Sequence, residues 1–286
     1  MSEEGLVFRM SCPDAVGLVA RVTGLVAAHG LNLAEAHSYS DVASRWFFAR
    51  LRIESIAGSG DMALLERDFT AFAAEVGAEW SLRRIGNPQR VVILASKETH
   101  CVTDLLWRRK FGELPAAVPL ILSNHRVCEE IAAAEGVPFL HVPMTGANKE
   151  EAFHEIARQC EAARADVIVM ARFMQILPAW FCEQFRGRVI NIHHSFLPAF
   201  AGADPYRQAF ERGVKLIGAT CHYATAELDA GPIIDQEVVR VEHFHDLGNL
   251  RRLGRDCERL ALARGVRYHV EDRVLMHGAK TIVFRD

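Results

Sequence analysis

The residues best suited to chemistry lie in two short stretches, Asn191-Ile192-His193-His194-Ser195-Phe196-Leu197-Pro198 and Leu228-Asp229-Ala230-Gly231-Pro232. Asn191 offers a carboxamide, His193 an imidazole and Asp229, 36 residues beyond His193, a carboxylate. Such a set can break or move an acyl group on nitrogen without a metal or a covalent nucleophile. Attack by water or an amine on the acyl carbon gives a tetrahedral intermediate with a negative oxygen. A carboxamide N–H can donate to that oxygen, and one preorganised donor is typically worth ~2.7 to 4 kcal/mol. An imidazole can carry a proton between nucleophile and leaving amine, usually worth roughly 10²- to 10⁴-fold in rate. The carboxylate can orient the imidazole, stabilise its charged form and help position the water. Singly, each residue has an ordinary reading: Asn191 as a strand-end residue satisfying local backbone, His193 as a structural histidine, Leu228 to Pro232 as a turn. Their combination points to catalysis.

These side chains need rigid elements to hold them. Continuous apolar runs occur at Val91–Ala95, Val118–Leu122, Phe139–Val142, Val167–Met170 and Val189–Ile192, separated by helical segments, most clearly 149–164. Buried strands alternating with helices predict a Rossmann-like, mostly parallel open sheet covered on both faces. Ligands then belong at the carboxyl ends of the strands. Alternate residues of a strand share a face, so Asn191 and His193 project to the same side. Two further strands, 215–224 and 232–241, flank the Asp229 loop; a long helix over 246–272 and a strand at 280–284 follow.

Before residue 86 the rhythm differs. A strand over 5–12, the turn Pro13–Gly17, a helix with Leu18, Val19, Val22, Leu25 and Val26 at helical spacing, strands at 31–40 and 46–54, a helix opened by Gly58-Ser59-Gly60-Asp61, and a strand near 79–85 give the order βαββαβ. That order implies a ferredoxin-like unit, a four-stranded antiparallel sheet with two helices on one face. Gly86-Asn87-Pro88-Gln89-Arg90 is a breaker-rich linker. The expected division is 1–85 and 86–286, an α/β protein throughout.

Composition narrows the function classes. Half of the 286 residues are apolar and 24% charged, a globular balance able to bury a sizeable core. A formal net charge of −3 gives no basic excess for phosphate backbones, so nucleic acid is not an expected partner. The seven cysteines are scattered, with no Cys-x-x-Cys, and read as reduced thiols of a cytoplasmic protein. The opening Met1-Ser2-Glu3-Glu4 is acidic where a signal peptide is basic, and no apolar run approaches the ~20 residues of a membrane span. No membrane partner is expected.

The segment Ser11 to Ala20, with His29-Gly30-Leu31-Asn32 after the helix, resembles an ACT domain. That resemblance implies a module for binding amino acids and for edge-to-edge pairing into a homo-oligomer, with Asp14, Gly17 and Asn32 as candidate effector contacts; the same residues also fit plain turns. Asn191-x-His193, Ser195 through Pro198 and Leu228-Asp229-x-Gly231-Pro232 resemble the site of folate-dependent formyltransferases. More narrowly, His193 to Phe200, Gly202-Ala203-x-Pro205-Tyr206, Ser96 to Cys101, Gly112 to Pro115 and Ser123-Asn124-His125 are similar to the formyltetrahydrofolate deformylase family. The likeness covers almost the whole chain. It implies hydrolysis of 10-formyltetrahydrofolate to tetrahydrofolate and formate, with Asn191, His193 and Asp229 catalytic. It places the pterin against the segment Ala171-Arg172-Phe173-Met174-Gln175-Ile176-Leu177 and the loop from Ala224 to Asp229, which carries Thr225 and Leu228. For the apolar members, plain core packing is the competing reading.

A formyltransferase to an unidentified amine, and a non-catalytic folate or amino-acid sensor, are the alternatives. A phosphorylated acceptor would need a glycine-rich cradle after the first parallel strand, yet Ser96-Lys97-Glu98-Thr99-His100-Cys101 has no glycine and carries an acid. Water becomes the default acceptor. No metal is expected: His243 and His245 have no third ligand at zinc spacing, and His154-Glu155 lacks a histidine four positions on. No tightly bound cofactor is expected, the folate being substrate. The lead-in Val241 to Asn249 and the glycine of Leu260 to Gly265 depart from the deformylase pattern, which puts local helix stability and oligomer contacts in question.

Overall fold

The computed structural model describes residues 5–55, 62–197 and 205–285. Gly58–Asp61 and the whole stretch Pro198–Ala203 named above lie outside them. The chain divides into two compact units, one of Met1–Pro88 with Asp272–His277 and Ile282–Asp286, the other of Gln89–Glu271 with Gly278–Thr281.

In the first unit β1 (Gly5–Pro13), α1 (Leu18–Ala28), β2 (Leu31–Asp41), β3 (Trp46–Ser55), α2 (Met62–Val76) and β4 (Glu79–Arg84) follow the expected βαββαβ order. The strands form one antiparallel sheet, β2-β3-β1-β4. Leu6, Phe8, Met10 and Cys12 of β1 and Phe47, Ala49, Leu51 and Ile53 of β3 alternate onto one face, the period-two pattern of a half-buried strand. Against it α1 places Leu18, Val22 and Val26, and α2 Leu65, Phe69 and Phe72. The rings of Phe8 and Phe69 stack at 4.1 Å. Phe48, on the opposite face, packs with Leu275 and Phe284.

The second unit runs β5 (Gln89–Ala95), α3 (His100–Lys110), β6 (Ala116–Ser123), α4 (Glu129–Ala134), β7 (Phe139–His141), α5 (Lys149–Ala162), β8 (Val167–Ala171), α6 (Ala179–Gln184), β9 (Val189–His193), α7 (Pro205–Arg212), β10 (Leu216–Tyr223), β11 (Ile233–Arg240) and α8 (Leu247–Val270). Its seven-stranded sheet has the order β11-β10-β9-β8-β5-β6-β7. The five strands from β9 to β7 are parallel, and β10 and β11 join antiparallel. Val91 through Ala95 are wholly buried, as befits a strand covered on both faces. Each Val, Leu or Ile buried there is worth roughly 1.5 to 3 kcal/mol, so the apolar runs fix the sheet centre.

Helix α8 opens where the sequence pattern looked irregular. The Asp246 side chain accepts from Asn249 N at 2.7 Å and caps the helix. Gly265 has a packing reason: a Cβ there would lie 2.3 Å from Cys221 Sγ on β10, so only glycine lets helix and strand approach this closely. The strand expected at 280–284 is β13 (Lys280–Val283), paired with β12 (Val274–His277). Four residues are too few for β12 to carry a legible period. No described helix is long and apolar enough to cross a membrane.

Candidate active site

Asn191 and His193 are the third and fifth residues of β9, so their side chains leave the same face. Antiparallel β10 sets His222 opposite Asn191, and cross-strand partners share a face. The chain then leaves β10 through a loop closed by Tyr223 N donating to Pro232 O at 2.9 Å. A Cβ on Gly231 would lie 1.8 Å from Tyr223 O, so glycine is obligatory for this closure. The loop holds Asp229 at φ 55, a left-handed conformation that Asp tolerates better than most residues. Its Oδ2 lies 3.2 Å from His193 Nδ1 and its Oδ1 3.7 Å from His222 Nε2. The carboxamide, imidazole and carboxylate thus converge.

His222 decides which way Asn191 faces. Its Nδ1 lies 2.9 Å from Tyr223 O, an atom that can only accept, so Nδ1 carries the proton. Nε2 of the neutral ring then offers a lone pair to Asn191 Nδ2 at 3.2 Å. One amide N–H is spent on this bond and the other is free for a ligand. Burial holds the His222 pKa below its ordinary value, outweighing the Tyr223 carbonyl and the Asp229 charge. Burial alone would raise the Asp229 pKa, but hydrogen bonding to His193 and the surrounding imidazoles bring it below the usual range. His193 Nε2 is buried with no hydrogen-bond partner. It is the proton site available to a ligand.

These groups line a cavity of about 330 Å³. Its wall includes Phe173, Met174, Gln175, Ile176 and Leu177 of the expected pterin segment, though not Ala171, and Ala224, Thr225 and Leu228 of the loop. Met174, Ile176 and Leu228 expose more than half their surface and form an apolar rim. Phe173 is 4% exposed and packs in the core with Phe153 and Phe181, so for this side chain core packing dominates. The 173–177 loop is pinned from the neighbouring strands: Ser96 Oγ accepts from Met174 N at 3.2 Å and donates to Asn124 Oδ1 at 2.7 Å.

Arg172, which the sequence reading placed only as part of the pterin segment, lines the cavity, as do His194 and His222, to which it gave no role. The role of His222 depends on strand register, which has no sequence signal. Arg172 had one, a lone cation directly after the wholly buried strand β8. It too is left-handed, φ 61. Behind it lies Glu258 of α8, 1% exposed, accepting from Tyr206 Oη at 2.5 Å and lying 2.8 Å from His100 Nε2 and 3.3 Å from Arg172 Nε. His100, Cys101 and Glu258 bring three ligand-type atoms within 4.8 Å of one another. The Arg172 cation lies beside them, and burial raises the pKa of the Cys101 thiol. His245 Nδ1 accepts from Glu242 N at 3.0 Å, an ordinary local turn bond.

In the first unit Asp14, Gly17 and Asn32 are all exposed. Asp14 N donates to Arg45 O at 2.9 Å. Gly17 precedes α1 at φ 86, and Asn32 pairs with Glu54 across β2 and β3.

Residues 89–266 match the Formyl transferase family and residues 7–59 the ACT domain. The chain is 41% identical to the formyltetrahydrofolate deformylase of Bacillus subtilis over 96% of its length and 92% of the relative's. Against that of Mycobacterium tuberculosis it is 43% identical, over 96% and 89%. A solved formyltetrahydrofolate deformylase from Pseudomonas syringae superposes with a TM-score of 0.96 at 46% identity, covering 100% of this chain and 96% of that one. A glycinamide ribonucleotide transformylase from Symbiobacterium toebii shares 30% identity and a TM-score of 0.65 over 69% of this chain and 95% of its own. Two-domain organisation and identity along nearly the full length agree: the chain belongs to the formyltetrahydrofolate deformylase family.

Proposed function

We propose that this protein hydrolyses 10-formyltetrahydrofolate to tetrahydrofolate and formate, using Asn191, His193 and Asp229. The observation that carries the assignment of roles is the 3.2 Å pair between His193 Nδ1 and Asp229 Oδ2, which leaves His193 Nε2 unpartnered in the cavity that Asn191 also lines. Asp229 orients the ring and supports its charged form. The free N–H of Asn191 donates to the oxygen of the tetrahedral intermediate. His193 Nε2 relays the proton lost by the attacking water to N10 as the C–N bond breaks. Every proton transfer belongs to the chain's own side chains, with no metal and no tightly bound cofactor, and the folate enters as substrate against the 173–177 and 224–229 loops.

Water rather than an amine is the acceptor. The loop after β5 is glycine-free and engaged with α8, Glu98 with Arg255 at 3.1 Å and His100 with Glu258. Nothing in its sequence fits it to cradle a phosphorylated amine. The test is release of formate from 10-formyltetrahydrofolate by the purified protein. H193A and D229N should lower the rate by orders of magnitude in folded protein. Turnover near that of the parent, or turnover that requires an added amine, overturns the assignment.

The ACT unit is assigned to amino-acid effector binding near Asp14, Gly17 and Asn32 and to homo-oligomer formation, its sheet having β2 and β4 as edges. The whole protein is assigned to the cytoplasm. Titrating single amino acids while following turnover, and sedimentation equilibrium, test the first two.

A further inference from the structure

The reaction proposed above turns a neutral amide into an anion in place. The oxygen of water forms the new C–O bond, the C–N10 bond breaks, N10 takes a proton and the acid formed gives up its own. Formate therefore appears in a cavity whose wall already carries the Asp229 carboxylate, and two like charges in a half-buried site repel. A cation on another side of the cavity would draw the product off Asp229.

Arg172 is placed and prepared for that. In the parallel register of β8 and β9, Met170 pairs with Asn191, and Arg172 follows directly on the end of β8. Its side chain is 12% exposed and lines the cavity. Nε and Nη1 are buried with no hydrogen-bond partner. A buried guanidinium normally finds acceptors for its fork of donors. Here Glu258 supplies charge from 3.3 Å, but its hydrogen bonds go to His100 and Tyr206. The backbone at φ 61 costs a non-glycine residue on the order of 1 to 3 kcal/mol. The field of the guanidinium also reaches the cavity: burial first, then the Arg172 charge, hold His194 on the same wall at a pKa of about 4.

We propose that Arg172 is a binding site for a small carboxylate, the formate product, held open by the buried Glu258, His100 and Tyr206. It rests on the hydrolytic reading, since only that reaction leaves formate in the cavity.

The test uses the full-length protein, with [13C]formate binding followed by line broadening in the absence of folate and formate inhibition measured during turnover. R172Q should weaken formate binding at least about tenfold, the loss of one charge-assisted hydrogen bond, while KM for the folate shifts much less. E258Q should tighten formate binding, because it removes the competing anion and leaves Arg172. Opposite shifts are the signature, because a network that merely holds the fold together would move both variants the same way. R172K keeps the charge without the planar fork and should fall between parent and R172Q; if R172Q fails to fold, R172K and E258Q decide. Equal formate affinity in parent and either Arg172 variant, or shifts of one sign in R172Q and E258Q, overturns the proposal. Absence of turnover with formate binding that still depends on Arg172 would count against hydrolysis and not against the site.

Discussion

His222 gives the sharpest test of how the site is set up, because its two ring nitrogens have separable jobs. Nδ1 donates to Tyr223 O and Nε2 accepts from Asn191. An asparagine at 222 can reproduce a donor near the Nδ1 position but leaves the Nε2 position empty. A glutamine can place its carbonyl oxygen near Nε2 and keep the acceptor. In H222N the Asn191 amide is free to rotate and to turn its carbonyl oxygen toward the developing oxyanion. The neutral bond at 3.2 Å is worth about 1 kcal/mol net, at most about 1.5, so kcat should fall about five- to tenfold. The ceiling is complete loss of one oxyanion donor, roughly 10²- to 10³-fold, which N191A should reach.

KM should change little in H222N, and H222Q should recover most of the loss. Steady-state kinetics in a double-mutant cycle is the assay: in the N191A background H222N should cost almost nothing in kcat, since the amide it orients is gone. A pH profile adds a second reading. Protonating His222 puts a hydrogen on Nε2, ends its acceptor role and draws the ring toward Asp229 Oδ1, with His193 the other titratable neighbour. The folded pKa is depressed below 6.5 by burial, so this loss of kcat belongs on the acid side of 6.5, and H222Q should lack that component. Equal kcat losses in H222N and H222Q, or additive losses from H222N and N191A, would refute the positioning role.

S96A removes the hydroxyl that accepts from Met174 N and donates to Asn124; a freed 173–177 loop should raise KM for the folate severalfold, about 1 kcal/mol of binding, with kcat nearly unchanged in initial-rate measurements. G265A forces a Cβ to 2.3 Å from Cys221 Sγ, an overpacking that should cost about 1 to 3 kcal/mol and lower Tm by several degrees in calorimetry. His194 stays neutral down to a pKa of about 4 through burial and the Arg172 charge. Its folded pKa lies below the unfolded ~6.5, so its contribution is present above pH 6.5 and is lost as pH falls through about 4. Thermal melts should lose on the order of 3 kcal/mol across that window, and H194Q should flatten the loss.

The parts of the fold legible in the sequence are those written as period. Val91–Ala95 and Val189–Ile192 read as buried strands because both faces of those strands are covered, and Leu18, Val22 and Val26 read as one helix face because they pack on one sheet. The length of α8 was legible too, though its irregular start was explicable only once Asp246 was seen accepting from Asn249. β12 was not, since four residues cannot establish a period.

At the site, what the sequence could supply was residue type at strand ends and turns, which is how Asn191, His193 and Asp229 came to be grouped and why they share one cavity. What it could not supply was register. His222 gains a role only because β10 runs antiparallel to β9 with Thr220 opposite His193; a one-residue slip would turn its ring to the other side of the sheet and leave Asn191 unoriented. Arg172 likewise looks like a strand-end cation until Glu258, 86 positions away in sequence, is found behind it with its hydrogen bonds given to other partners. Local chemistry therefore names the groups proposed to react, whereas the groups that aim them come from distant strands and helices. Substitutions at His222 and Arg172 should accordingly alter how the site works while leaving in the chain the three side chains proposed to react.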